Sequence, residues 1–153
     1  MDLIFWRHAE AVDLELVGDD MARYLTSRGE KQAARMAAWL DRQVPGGARV
    51  FASTAVRAQQ TAHALGRKFK SSAALAPLGT PEQLLELVQW PDAKGCVLVV
   101  GHQPTMGQVV ARLLGLQANE CAVKKGAVWW LRHREREAGA QTVLVTVQSP
   151  DLL

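Results

Sequence analysis

The chain has 153 residues, and the simplest organisation for that length is one compact domain covering residues 1–153. Its hydrophobic fraction of 48% and charged fraction of 22% are ordinary for a globular protein, which excludes a disordered chain, and no apolar run is long enough to span a membrane. The net charge of +3 comes with short, interrupted basic clusters, so we expect a protein that binds neither nucleic acid nor membranes.

The first apolar run and the cysteines indicate the cellular compartment. Leu3–Trp6 is too short for the apolar core of a secretion signal. The two cysteines, Cys96 and Cys121, lie far apart and do not form a CxxC pair. We therefore expect a cytoplasmic protein in a reducing compartment.

The first third of the chain predicts a strand, a loop and a long helix. Leu3–Trp6 is the strand, and the acid-rich segment Glu10–Asp20 is the loop. The segment from Ser27 to Glu30 has the spacing of a capping box and predicts a helix start, and Pro45-Gly46-Gly47 ends that helix.

A second strand and helix follow. Arg49–Ala52 predicts the strand and Ala55–Phe69 the helix, with Ser53 and Thr54 as candidate N-cap residues. Arg57 falls in the first turn of this helix, where a cation opposes the helix dipole at a cost of about 0.3 to 1 kcal/mol. An anion bound at the helix N-terminus would reverse that balance, so the position of Arg57 indicates a ligand.

The alternation of strands and helices continues to the last third of the chain. Ala73–Leu78 predicts a short edge strand, and Thr80–Val88 predicts a capped helix. Cys96–Val100 predicts a buried strand, and the spacing of apolar residues over Met106–Leu114 predicts an amphipathic helix.

The last third of the chain predicts two consecutive strands. Ala127–Leu131 and Thr142–Val147 are joined by a charged turn, which favours an antiparallel hairpin. Strands that alternate with helices before a terminal hairpin predict a three-layer α/β/α sandwich with a mostly parallel central sheet and an antiparallel edge.

Three of the predicted strands end in cationic or imidazole side chains. Arg7 and His8 follow the first strand, Arg57 lies beyond the second, and His102 follows the strand that ends at Val100. The carboxyl ends of parallel strands share one edge of the sheet, where open α/β proteins bind their ligands. We therefore expect these four side chains to form one crevice that binds phosphate.

The residue types in this crevice fit phosphoryl transfer. Arg7 and Arg57 are candidates to clamp phosphoryl oxygens, because guanidinium groups bind them in bidentate fashion. His8 is the candidate nucleophile, since the neighbouring guanidinium lowers its pKa and favours the neutral imidazole. His102 is a candidate donor to the transferring oxygens, kept protonated by a bound phosphate. The other two histidines are expected to be structural or surface residues: His63 and His133.

Four segments, spread over most of the chain, combine into one family pattern: Trp6–Ala11, Leu25–Gly29, Ser53–Thr61 and Val100–Pro104. With these segments the chain resembles the histidine phosphatase superfamily, and within it the small phosphohistidine phosphatases of the SixA type. The resemblance implies that His8 is transiently phosphorylated and that water then releases the phosphate from it, without a metal or cofactor. It also implies that Arg7, Arg57 and His102 surround the phosphate, and that the substrate is a phosphorylated histidine on a signalling phosphotransfer protein.

Two positions depart from the pattern of many superfamily members. Ala9 stands where a glycine is common, so the backbone there must avoid conformations reserved for glycine. Leu75–Thr80 has no carboxylate to act as a proton donor, and Glu10 and Glu82 are the remaining candidates. A proton donor contributes about 10²- to 10⁴-fold when the leaving group is an alkoxide, whereas imidazole leaves more easily. This composition therefore favours a P–N substrate.

Three alternatives remain open. The first is a phosphomonoesterase acting on a small metabolite, which would need a deep pocket and a proton donor; a mutase is less favoured because the chain is short. The second is a catalytically silent phosphate- or phosphoprotein-binding module, which the presence of His8 disfavours. The third, a metal site at His8 and His102, ranks last because Arg7 and Arg57 would repel the ion.

Overall fold

The structure, a computed structural model, describes residues 1–153. Its strands form one six-stranded sheet: β1 (Asp2–Arg7), β2 (Arg49–Ser53), β3 (Lys70–Ser72), β4 (Cys96–Gly101), β5 (Val128–Arg136) and β6 (Gly139–Gln148). Its helices are α1 (Leu14–Val17), α2 (Ser27–Gln43), α3 (Val56–Ala64), α4 (Pro81–Val88) and α5 (Thr105–Leu113). None of these helices combines the length and the apolar character that crossing a membrane requires.

The carboxyl ends of three strands lie level at one edge of the sheet. The strand order is β3-β2-β4-β1-β5-β6, and the first four strands are parallel. Val100 of β4 is the partner of both Trp6 in β1 and Ala52 in β2, so these strands end side by side. On the other side of β1, strands β5 and β6 are antiparallel. The predicted mostly parallel sheet with an antiparallel edge is confirmed.

Helices cover both faces of the sheet and complete the three predicted layers. Because side chains alternate along a strand, β1 contributes to two cores. Ile4 and Trp6 pack in the cluster that contains Met36 of α2, whereas Leu3 and Phe5 pack with residues of α4 and α5. These four apolar side chains of β1 are fully buried, and burial of each stabilises the fold by about 1.5 to 3 kcal/mol. The strand that leads to His8 is therefore firmly held.

The predicted N-caps of two helices are wrong. Helix α2 is capped by Thr26, whose hydroxyl oxygen accepts a backbone N–H of the first turn, and not by Ser27. Helix α3 begins after Ala55, and neither Ser53 nor Thr54 caps it. The hydroxyl oxygen of Ser53 accepts the N–H of Ala55, a residue outside the helix, at 3.1 Å. Its side chain is thus used in the turn between β2 and α3.

Several element boundaries also differ from the predicted ones. Helix α3 ends at Ala64, because Gly66 has a φ of 73° and turns the chain away from the helix. The predicted edge strand Ala73–Leu78 is wrong: Ala73–Leu75 is a 3-10 turn, and β3 precedes it. The side chain of Ser72 accepts a backbone N–H of this turn and ends the strand. A short helix, α1, lies in the predicted acidic loop, and the terminal hairpin is longer than predicted.

Helix α2 packs directly on the backbone that follows β1. A Cβ placed on Gly29 would lie 1.9 Å from the carbonyl oxygen of Glu10, so only glycine permits this approach. The N–H of Thr26 donates to the same carbonyl at 3.1 Å, and the side chain of Gln32 accepts the N–H of Glu10 at 3.0 Å. The segment next to His8 is therefore fixed by the start of α2.

Candidate active site

The carboxyl edge of the sheet brings together the four residues that the sequence places there. Arg7 is the last residue of β1 and His8 follows it, His102 follows β4, and Arg57 lies in the first turn of α3. The ring centroids of His8 and His102 are 5.2 Å apart. The charges of Arg7 and Arg57 contribute to lowering the pKa of both imidazoles, which reflects their proximity. His8, Arg57 and His102 are all buried.

A hydrogen bond fixes the tautomer of His8. Its Nδ1 lies 2.8 Å from the carbonyl oxygen of Ala9, which can only accept, so Nδ1 carries the proton and donates. In a neutral imidazole this leaves the lone pair on Nε2. The N–H of Ala9 donates to the hydroxyl of Thr61 at 3.1 Å, and Thr61 donates to the carbonyl of Arg57 at 2.8 Å. Ala9 does not have a positive φ, so the absence of glycine causes no strain here.

Burial keeps His8 neutral. Desolvation is the largest cause that lowers its pKa from 6.5 to about 3, and the hydrogen bond to Ala9 opposes it. The charges of His102, Arg57 and Arg7 lower the pKa further. The sequence predicts that the guanidinium of Arg7 keeps His8 neutral. In the structure, desolvation lowers the pKa of His8 more than this charge does.

His102 is oriented by Ser53. Its Nε2 lies 2.7 Å from the hydroxyl oxygen of Ser53, and the N–H of Ala55 donates to that oxygen. Its Nδ1 is buried and has no hydrogen-bond partner. Burial, followed by the charge of Arg57, lowers the pKa of His102 to about 3, so this imidazole is neutral at neutral pH. Its protonation in the presence of a bound phosphate stays a prediction.

The two arginines are partly engaged and keep donors free. Nη1 of Arg7 donates to the carbonyl of Val123 at 2.8 Å. Arg57 donates from Nη1 to the carbonyl of Asp20 at 2.6 Å and from Nη2 to its carboxylate at 3.2 Å. The Nε atoms of both arginines are buried without a partner. Desolvation lowers both pKa values, but a guanidinium keeps its charge at neutral pH.

Sequence reasoning missed two residues of this cluster. Ser53 was expected to cap a helix, although its place at the end of β2 is a signal that it shares the edge with His8 and His102. Asp20 was expected only as part of an acidic loop, and nothing in the local sequence distinguishes it from its neighbours. Its contact with Arg57 spans 37 positions of the chain.

The other candidate residues do not join the cluster. The carboxylate of Glu10 accepts the hydroxyl of Thr26 at 2.7 Å, and the exposed carboxylate of Glu82 pairs with Arg112 at 3.0 Å. His63 packs edge-on against Phe69 and His133 against Trp90. No group of three His, Cys, Asp or Glu residues lies close enough to hold a metal ion.

The fold and this cluster define a class: an α/β protein with imidazoles and guanidiniums gathered at the carboxyl edge of a parallel sheet. The sequence model of the histidine phosphatase superfamily (branch 1) matches residues 3–90. The chain belongs to this superfamily as a SixA-type member. A phosphohistidine phosphatase SixA homolog of Haemophilus influenzae is 30% identical over 130 residues, and the match covers 75% of this chain and 78% of that protein.

Solved structures agree with this assignment. A SixA-type protein from Nakamurella multipartitia has 26% identity and a TM-score of 0.78, with 97% of this chain and 95% of that chain covered. The protein histidine phosphatase SixA in complex with tungstate has 26% identity and a TM-score of 0.76, with 99% of both chains covered. Together the relatives support a phosphatase.

Proposed function

We propose that this protein hydrolyses phosphorylated histidine on a signalling phosphotransfer protein, with His8 as the nucleophile and without a metal ion. The observation that carries the proposal is the state of His8: a buried, neutral imidazole whose Nδ1–H is taken by Ala9, which leaves the Nε2 lone pair free to attack phosphorus. Arg7 and Arg57 are the phosphate clamp and His102 the stabilising donor. The chain is proposed to act as one domain over residues 1–153.

The reaction has two displacements. In the first, Nε2 of His8 forms a bond to phosphorus, the substrate P–N bond breaks, and its electron pair returns to the substrate ring, which leaves as neutral imidazole because its other nitrogen carries a proton. In the second, water attacks phosphorus, the bond to Nε2 breaks, and His8 regains its lone pair while a water proton passes to the released phosphate. The unpartnered Nε–H groups of Arg7 and Arg57 would be satisfied by the phosphoryl oxygens, and Nδ1 of His102 would donate to them once it carries a proton.

The carboxylates near the site favour a P–N bond as the one that breaks. Glu10 and Glu82 are engaged elsewhere. For Asp20, burial raises the pKa, but the hydrogen bond from Arg23 and the charge of Arg57 outweigh it, so the pKa lies below its usual value. Asp20 is therefore an anion at neutral pH and a poor proton donor. An imidazole leaving group depends less on such a donor than an alkoxide does.

Exposed apolar side chains in the connections that leave the same edge of the sheet favour a protein substrate. They lie in the connections that follow β1, β2 and β3: Leu14, Leu16, Met21, Tyr24, Val56 and Leu78. Leu78 is 95% exposed. Apolar anchors around a polar centre are typical of a protein-binding surface. A phosphotransfer protein that presents its phosphohistidine to His8 would cover them.

The test compares a phosphohistidine-bearing phosphotransfer protein with a panel of small phosphate esters in metal-free buffer. Wild type, His8→Ala and, as a matched control, His63→Ala are assayed side by side, because His63 is exposed and lies outside the cluster. We expect wild type and His63→Ala to prefer the protein substrate and His8→Ala to lose turnover. Acid-labile phosphate should be trapped on wild type and on His63→Ala, but not on His8→Ala.

Other outcomes lead to other functions. Preference for one ester would indicate a metabolite phosphatase, and turnover of neither substrate would indicate a binding module. Full activity of His8→Ala would refute the nucleophile assignment.

A further inference from the structure

Asp20 is the carboxylate that contacts Arg57. It lies in the 3-10 turn Asp20–Ala22, between α1 and α2. Its carbonyl oxygen accepts from Nη1 of Arg57 at 2.6 Å, and its Oδ2 accepts from Nη2 at 3.2 Å. The Arg57 side chain is only 4% exposed. This contact is therefore made at a guanidinium that is shielded from water.

The carboxylate of Asp20 is itself held from a second side. Nη1 of Arg23 donates to Oδ1 of Asp20 at 3.1 Å. Nε of Arg23 donates to the carbonyl of Val12 at 2.7 Å, which ties that arginine to the backbone after β1. Asp20 is thus fixed between two guanidiniums, and its orientation is determined by the segment that carries it.

The pattern of donors divides the Arg57 guanidinium into a used part and a free part. A guanidinium binds an anion either end-on, through both terminal nitrogens, or side-on, through Nε and one terminal nitrogen. Asp20 engages both terminal nitrogens. The Nε of Arg57 is buried and has no partner. The side-on edge is therefore the one that remains for a bound anion.

We propose that Asp20 is a positioning residue, which holds the end of the Arg57 guanidinium so that its Nε edge faces the phosphoryl group. The proposal rests on the proposed function of Arg57 as a phosphate ligand. A carboxylate that merely occupied the phosphate position would have the opposite effect, because phosphate would have to displace it. Removal of Asp20 distinguishes the two roles by the sign of the change in anion affinity.

The test measures tungstate binding by titration calorimetry, which does not depend on turnover. We expect Asp20→Ala to weaken tungstate binding about tenfold, since a charge-assisted hydrogen bond that orients Arg57 is lost. Asp20→Asn keeps an acceptor oxygen and should restore most of the affinity. Asp13→Ala is the matched control, because Asp13 lies in the same segment and its side chain makes no capping hydrogen bond. Its affinity should equal that of wild type.

The same substitution in the Arg57→Ala variant distinguishes a positioning role of Asp20 from a general disturbance of the segment that carries it. In Arg57→Ala, the further change Asp20→Ala should leave tungstate affinity unchanged if Asp20 acts through Arg57. With the phosphohistidine substrate, Asp20→Ala should lower kcat more than it raises KM. Asp20→Asn should recover most of the wild-type kcat.

Three results would overturn the positioning role. The first is tighter tungstate binding by both Asp20→Ala and Asp20→Asn. The second is a loss of tungstate affinity on Asp20→Ala that is as large in the Arg57→Ala background as in wild type. The third is an unchanged tungstate affinity in Asp20→Ala. A wild type that binds tungstate but does not hydrolyse phosphohistidine would refute the proposed function and leave the tungstate comparison decisive for Asp20.

Discussion

The two buried imidazoles make the stability of the protein depend on pH. Burial is the main cause that lowers the pKa of His8 and of His102 from 6.5 to about 3. In the unfolded chain both titrate near the ordinary value, so between these two pKa values the unfolded state binds protons that the folded state does not. Stability is therefore fully present above pH 6.5 and is lost as the pH falls toward 3.

The size of the effect follows from the pKa values of His8 and His102. At pH 5 protonation favours the unfolded chain by about 2 kcal/mol for each histidine relative to pH 7.5, or about 4 kcal/mol for the pair. Most carboxyl groups remain ionised at pH 5, so they contribute little to this difference. Urea unfolding at pH 7.5 and at pH 5.0 measures the free energy of unfolding in both conditions.

Variants assign the effect to particular residues. His8→Asn keeps an amide N–H in place of the Nδ1–H that donates to Ala9, and it should reduce the difference between the two pH values by about half. His63→Asn changes an exposed histidine and should leave the difference unchanged. A wild-type difference below about 1 kcal/mol, or an undiminished difference in His8→Asn, would refute the reasoning that both imidazoles are buried and neutral.

Three further predictions concern orientation, packing and metals. Ser53→Ala removes the hydroxyl 2.7 Å from Nε2 of His102 and should lower kcat/KM about tenfold in steady-state assays; unchanged kcat/KM would contradict the orienting role. Gly29→Ala places a Cβ 1.9 Å from a backbone oxygen and should lower the free energy of unfolding by about 1 to 3 kcal/mol in urea. Gly46→Ala, whose Cβ has nothing within 4 Å, is its control, and equal effects would contradict the steric argument. A chelator should leave phosphatase activity unchanged, and inhibition reversed by added metal would contradict the metal-free reaction.

The position of the cluster could be predicted because strand ends are fixed by simple rules. Apolar runs identify β1, β2 and β4, and parallel pairing then puts Arg7, His8 and His102 at one edge. Arg57 can be placed at the same edge because it lies shortly after β2, in the first turn of α3. These inferences need only the period of the apolar residues and the direction of the strands.

Contacts that depend on how a connection folds back could not be predicted in this way. Asp20 reaches Arg57 from a connection with no apolar periodicity, and a carboxylate in such a segment is more often exposed to solvent. Ser53 was misassigned for a related reason. Serine after a strand fits an N-cap equally well, and only the tertiary position of His102 decides which partner its hydroxyl has.

A single environment produces both kinds of side chain that the proposed reaction needs. Desolvation disfavours every cation, so it lowers the pKa of His8, His102, Arg7 and Arg57 alike. Imidazole starts near neutral pH and becomes an uncharged nucleophile, whereas guanidinium starts so far above it that the charge remains. Burial alone therefore leaves the imidazole uncharged and the guanidiniums charged, as the proposed nucleophile and phosphate ligands require. The cost is that the Nε–H groups of Arg7 and Arg57 are buried without a protein partner, and a bound phosphoryl group that accepts from them should stabilise the folded state.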